Sequence, residues 1–160
     1  MASSVANACV VGVISDTHGL MRPEALTALA GVQHIIHAGD IGSPEVLHAL
    51  EAVAPLTAVR GNVDRFPWAR GIPDTAHVRI EAARLYVLHD VHQLDLDPRT
   101  AGFTAVVAGH SHRPEITERD GVLFVNPGSA GPRRFKLPVS VARLRIAGGR
   151  VRGRVVLLDV

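Results

Sequence analysis

The chain has 160 residues, 47% of them hydrophobic and 20% charged, a balance that excludes an intrinsically disordered protein. Its formal net charge of +2 is too small to argue for a nucleic-acid partner by charge alone. A single cysteine, Cys9, excludes an internal disulfide framework and zinc sites built on two or more cysteines.

In chain order, residues 1–7 show no basic start followed by an apolar stretch, so no signal peptide is expected. No uninterrupted apolar run is long enough to span a bilayer. A cytoplasmic protein without membrane contact, one domain over residues 1–160, is the expectation. Residues 9–15 (CVVGVIS) form a short, β-branched run, as in a strand buried on both faces. Residues 23–30 predict a helix, with Pro23 early and Gly31 just after the end. Residues 35–38 predict a second buried strand, residues 44–53 a second helix capped by Ser43, and residues 57–60 a third strand. That alternation implies a parallel sheet with right-handed crossovers. The second half changes style. Residues 77–80 and 85–88 flank a turn at 81–84, and 106–108 is another buried run. Residues 115–117 and 122–125 flank the Asp120-Gly121 hairpin signal. Residues 139–146 and 151–158 flank Gly148-Gly149, and their alternation predicts antiparallel strands with one wet face. Arg143, Arg145, Arg150, Arg152 and Arg154 fall on that wet side. The sum is a mixed α/β protein of two packed sheets with helices outside.

The polar residues carry the functional signal. Each predicted buried strand runs into metal-ligand types. The first runs into Asp16-Thr17-His18, the second into Gly39-Asp40, and the third into Gly61-Asn62. The run at 85–88 leads to His89, and the run at 106–108 to Gly109-His110-Ser111-His112. Sites in α/β sheets form at the carboxyl ends of strands, and the neighbouring glycines allow the tight turns that let side chains converge. Asp supplies charge and can bridge two cations. Imidazole nitrogen suits Mn, Fe, Zn, Ni or Co better than Mg or Ca. An Asn carbonyl fills a coordination position without adding charge.

In this order, Asp-x-His, Gly-Asp, Gly-Asn, His and Gly-His-x-His resemble the signature of the calcineurin-like metallophosphoesterase superfamily. With "NPGS" at 126–129, they look most like its compact prokaryotic phosphodiesterase branch. The resemblance runs from about Val10 to Leu158. It implies a four-layer α-β-β-α sandwich and two divalent transition-metal ions, Mn first among them. Asp16, His18 and His112 resemble the ligands of the first ion, Asn62, His89 and His110 those of the second, and Asp40 the bridging carboxylate. By the same resemblance Asp40, Asn62 and His89 are catalytic. A metal-bridging hydroxide would attack phosphorus in line in a small phosphate ester, a diester ahead of a monoester. Asn62, His92, Asn126, Gly128 and Ser129 are the expected substrate contacts. A homodimer is allowed for, and nucleic acid is not expected as a partner.

Two departures bear on activity. Many superfamily members carry a His after Gly-Asn that protonates the leaving oxygen; here Val63 stands there, and such help is commonly worth about 10²–10⁴-fold. Asp90 follows His89 where the family usually has Gly, and a turn-capping role is the preferred reading. Asp64 reads equally as an orienting group or a surface ion pair. His37 reads as a core residue or one behind the ligands. The alternative function is a metal-binding protein-interaction scaffold, the role that eukaryotic cousins of the compact branch take in a coat complex.

Overall fold

The computed structural model describes residues 8–160; the leaderless reading of residues 1–7 lies outside them. The first half runs β1 (Cys9–Ile14), α1 (Pro23–Ala28), β2 (His34–His37), α2 (Pro44–Glu51) and β3 (Leu56–Ala58). Proline opens each helix, where its missing N–H costs nothing and its fixed φ is already helical. Ser43 sits at the cap position of α2 with extended backbone, but its side chain makes no capping hydrogen bond. Both helices stop two residues earlier than the apolar pattern suggests.

The second half contributes β4 (Thr75–Ile80), β5 (Ala83–Leu88), β6 (Ala105–Val107), β7 (Pro114–Arg119) and β8 (Val122–Pro127), then β9 (Ser140–Ala147) and β10 (Arg150–Leu157). Two five-stranded sheets result, ordered β10-β9-β1-β2-β3 and β4-β5-β6-β8-β7. Both are mixed: β1, β2 and β3 are parallel while β9 runs antiparallel to both its neighbours, β1 and β10, and β5, β6 and β8 are parallel between antiparallel β4 and β7. This is the sandwich expected from the sequence.

Strand alternation sorts the core into layers. Val11, Val13, Ile36 and Leu144 of the first sheet meet Leu85, Val87, Val107 and Val125 of the second. The opposite face of the first sheet presents Ile14 and Ile35 to Leu29, Val46 and Leu50. Each such buried side chain is worth about 1.5–3 kcal/mol of transfer free energy. The outer face of the second sheet carries Val106, Val122 and Phe124, over which Val91 and Leu94 pack. That cover is a 3₁₀ turn (Val91–Gln93) and loop, so the fourth layer is thinner than the first.

On the exposed side of the β9–β10 ribbon, Arg143 stands opposite Arg154 and Arg145 opposite Arg152. Arg143 also donates to the carbonyls of Ala28 and Ala30 at the end of α1. Among the described residues, no helix is long and apolar enough to cross a membrane.

Candidate metal centre

The carboxyl ends of β1, β2, β5 and β6 point to one edge of the sandwich, and the loops leaving them are zipped together by backbone bonds. Asp16 N donates to Gly39 O, His18 N to Asp40 O, and Gly109 N to His89 O, all at 2.9–3.0 Å. In this framework Asp16, His18, Asp40, His110 and His112 all take left-handed backbone, with φ between 48° and 71°. Non-glycine residues pay conformational energy there, and such residues cluster at functional sites. The left-handed turn swings each side chain back toward the sheet ends instead of along the departing loop.

The donor atoms converge as two overlapping groups: Asp16, His18 and His112, and Asp16, Asp40 and His89. Asp16 Oδ1 lies 3.4 Å from His112 Nε2, 3.8 Å from His18 Nε2 and 3.9 Å from His89 Nε2. Asp40 Oδ2 lies 3.6 Å from His18 Nε2 and 3.2 Å from His89 Nε2. Asp16 is the member common to both groups, and Asp40 Oδ2 faces one histidine of each. His110 packs its ring edge-on against His89 at 5.2 Å, and its Nε2 is 3.8 Å from Asp90 Oδ2. Asn62 is exposed on the rim, where it lines a small cavity with Gly61, His89 and Asp90.

Each aspartate is held by one oxygen and offers the other. Asp16 Oδ2 accepts from Ser15 Oγ at 2.7 Å and His110 N at 3.1 Å, leaving Oδ1 free. Asp40 Oδ1 accepts from Val63 N at 3.1 Å, leaving Oδ2 toward the histidines. His89 is aimed likewise. Ala38 O can only accept, so the 2.8 Å contact places the proton on His89 Nδ1 and turns Nε2 inward. Asp16 Oδ1, His18 Nε2, His89 Nε2 and His112 Nδ1 are all buried without a hydrogen-bond partner. A buried polar atom left unpaired costs about 1–3 kcal/mol, so a cluster of them on mixed O and N donors fits a first-row divalent cation.

The electrostatics agree. Burial opposes ionisation of Asp40, yet the contact with His89, the Val63 N–H and the charges of His89 and His18 hold its carboxyl at about 2. Burial also pushes His89 down, but Asp40, Asp16 and the Ala38 carbonyl outweigh it and raise its pKa. For His18 burial wins over Asp40 and Asp16, and its pKa falls.

Several residues behind the donors were not resolved by sequence reasoning. Asp64 is 2% exposed and is no surface ion pair. Its carboxylate accepts from Ile41 N, Gly42 N and Gly61 N at 2.9–3.0 Å, locking the Asp40 loop to the Gly61-Asn62 loop. His37 is fully buried and does not reach the donor groups. Its Nδ1 accepts from Gly39 N, so Nε2 carries the proton and donates to Thr17 Oγ1, whose hydroxyl donates to Ile41 O. Asp90 caps its turn, with Oδ1 accepting from His92 N at 3.0 Å and facing His92 Nδ1 at 3.1 Å.

The expected substrate contacts divide. His92 and Asn126 line a cavity of about 620 Å³ that begins at His110. Asn126 is fixed there by donating to Gly109 O and Ser111 Oγ while accepting from Gly128 N. Gly128 and Ser129 are buried away from that cavity. The Ser129 hydroxyl donates to Asp16 O and braces the Asp16 loop, while Gly128 N donates to Asn126 Oδ1.

The family model for the calcineurin-like phosphoesterase superfamily domain matches residues 10–149. The chain belongs to that superfamily. A relative from Methanothermobacter thermautotrophicus, named as a probable metallophosphoesterase, is 36% identical over 159 residues, covering 92% of this chain and 91% of its own. A protein of Methanocaldococcus jannaschii named as a phosphodiesterase is 29% identical, covering 74% of this chain and 82% of its own. Among solved structures, Vps29 of Entamoeba histolytica complexed with zinc superposes with a TM-score of 0.69 at 23% identity, covering 94% of this chain and 99% of its own. At that identity the likeness speaks for the fold alone.

Proposed function

We propose that this calcineurin-like phosphoesterase is a working hydrolase of small phosphate esters, diesters ahead of monoesters, with two divalent transition-metal ions at the strand ends. The observation that carries the reading is the set of buried, unpartnered donor atoms on Asp16, His18, His89 and His112, gathered from loops of both sheets. Asp16, His18 and His112 would hold one ion, and Asn62, His89 and His110 the other, with Asp40 shared between them. Mn²⁺ is the first candidate; Fe, Zn, Ni and Co suit the same donors. When bound, such ions supply Lewis-acid charge and make water nucleophilic at neutral pH. The protein's own contribution is orientation. Asp40 stays ionised because Val63 N–H and His89 face it. His89 keeps Nε2 inward because Ala38 holds Nδ1. Asn62 and His92 stand exposed on the rim, where the Asn62 amide and the His92 Nε2 edge would meet a substrate oxygen. Val63 cannot transfer a proton, which favours esters whose leaving group needs little protonation.

The test is hydrolysis of an aryl phosphodiester with added Mn²⁺, before and after Asp40→Asn. The expected outcome is turnover by the wild type and a loss of at least about 100-fold in the variant. The second reading, a metal-binding interaction scaffold, draws on Val63 and on the shared fold with Vps29. Equal inertness of wild type and variant across several metals would overturn the hydrolase reading in favour of it.

A further inference from the structure

The cavity beside His110 is built unlike the rest of the candidate centre. Its near end is polar, formed by Asp90, His110 and Asn126. Its floor is apolar, formed by Val106 and Ala108 from β6 and its exit and by Phe124 of β8, and Leu137 and Pro138 close the far wall. Val106 and Ala108 are buried at the base of the cavity, and its open apolar surface is that of the half-buried Phe124, Leu137 and Pro138. Apolar sheet surface left open at the edge of a polar centre is costly unless something apolar covers it. At about 620 Å³ the space matches a small-molecule site. The Arg119 guanidinium lies 4.3 Å over the Phe124 ring and makes a flat, polarisable rim that suits a planar group.

We infer that this cleft receives the organic group of the substrate, and that this group is a planar aromatic ring, whether an aryl ring or a nucleobase. The inference rests on the hydrolase reading for the position of phosphorus: an ester seated at the His110 end of the cavity has its substituent beside the apolar lining. It adds a specificity determinant, because rings would pack on Phe124 and Leu137, above Val106 and Ala108, none of which supplies a donor to the metal centre.

The test uses the full chain, metal-free and zinc-loaded, with methyl groups of alanine, valine and leucine isotopically labelled. Benzyl alcohol and adenosine are titrated in, with ribose as the control. The expected result is saturable shifts at Ala108, Val106 and Leu137 with the rings, in roughly the millimolar range for so small a contact, and none with ribose. Shifts with both rings assign generic ring recognition, and shifts with adenosine alone assign a nucleoside ester. Absence of ring-dependent shifts overturns the inference. A second arm compares kcat/KM for phenyl and methyl phosphodiesters in the Mn²⁺-loaded wild type and in Leu137→Trp, which fills the far wall. Intrinsic ester reactivity cancels between the two proteins, and the phenyl preference should fall by about tenfold in the variant. Hydrolysis of both esters without any ring shift would sink the cleft and leave the hydrolase standing. Ring shifts without hydrolysis would do the reverse.

Discussion

Two buried side chains show how much of the centre is decided one residue away from it. His37 and Asp64 hold no position among the converging donors, yet each ties together loops that do. His37 must be neutral to work, because Nδ1 accepts from Gly39 N. Burial, opposed by Asp16 and Asp64, pushes its pKa from 6.5 down to about 4. The folded chain therefore refuses a proton that the unfolded chain takes. Stability is unaffected above pH 6.5, falls as pH drops from 6.5 toward 4, and levels off once both states are protonated. In chelator-treated protein, chemical denaturation should show a loss of roughly 3 kcal/mol across that window, and His37→Gln should flatten the slope whatever it does to absolute stability. An unchanged slope in the variant would mean that His37 is not the titrating group. The sequence made the donor types legible because each closes an apolar run. It left Asp64 and Ser129 ambiguous for a physical reason: their partners are backbone groups from distant segments, and a backbone N–H looks the same at every position. The buried carboxylate of Asp64 was readable only once Ile41, Gly42 and Gly61 had been brought around it.

At the scale of elements, the strand ends matter more than the strands. Apolar periodicity located nearly every strand to within two residues, and Asp120-Gly121 and Gly148-Gly149 marked their hairpins correctly. The turn at 81–84 is tighter than its polar residues suggested, because Glu81 itself takes left-handed backbone at φ 54° and lets β5 start at Ala83. The left-handed donors were invisible in the sequence, since nothing in Asp or His announces positive φ. The glycines beside them were the available hint, and they serve less as hinges than as empty space. A Cβ on Gly61 would collide with Asp40 Oδ1 and the Asp40 amide nitrogen. Neither atom can yield cheaply, because that carboxylate is held by Val63 N. Gly61→Ala should therefore turn Asp40 out of place and weaken metal binding by about 10–100-fold, read by competition with a chelator of known affinity. Wild-type affinity in the variant would show that Asp40 is not set by this contact.

For the whole molecule, the centre lies on the seam between two sheets. Asp16, His18 and Asp40 follow strands of the first, while His89, His110 and His112 follow strands of the second. The apolar layer between the sheets brings these ends together, but it cannot satisfy them, and the unpartnered donors act against folding at the very place where the sheets meet. A cation bound there would remove that penalty and clamp both sheets at once. Binding free energy at such a seam is linked to global unfolding, because neither sheet alone presents a full donor set. At a Mn²⁺ concentration of 100 times Kd the added stability would be about 2.7 kcal/mol. For a chain of this length that corresponds to a rise in Tm of roughly 5–10 °C. Differential scanning calorimetry across a Mn²⁺ series should show Tm climbing with the logarithm of concentration. Asp40→Asn should show a much shallower climb, since its free oxygen faces donors from both sheets. A Tm indifferent to Mn²⁺ in the wild type would remove the metals from the seam and with them the basis for the hydrolase. A climb of equal slope in both proteins would place the bound ion away from Asp40, outside the shared position proposed for it.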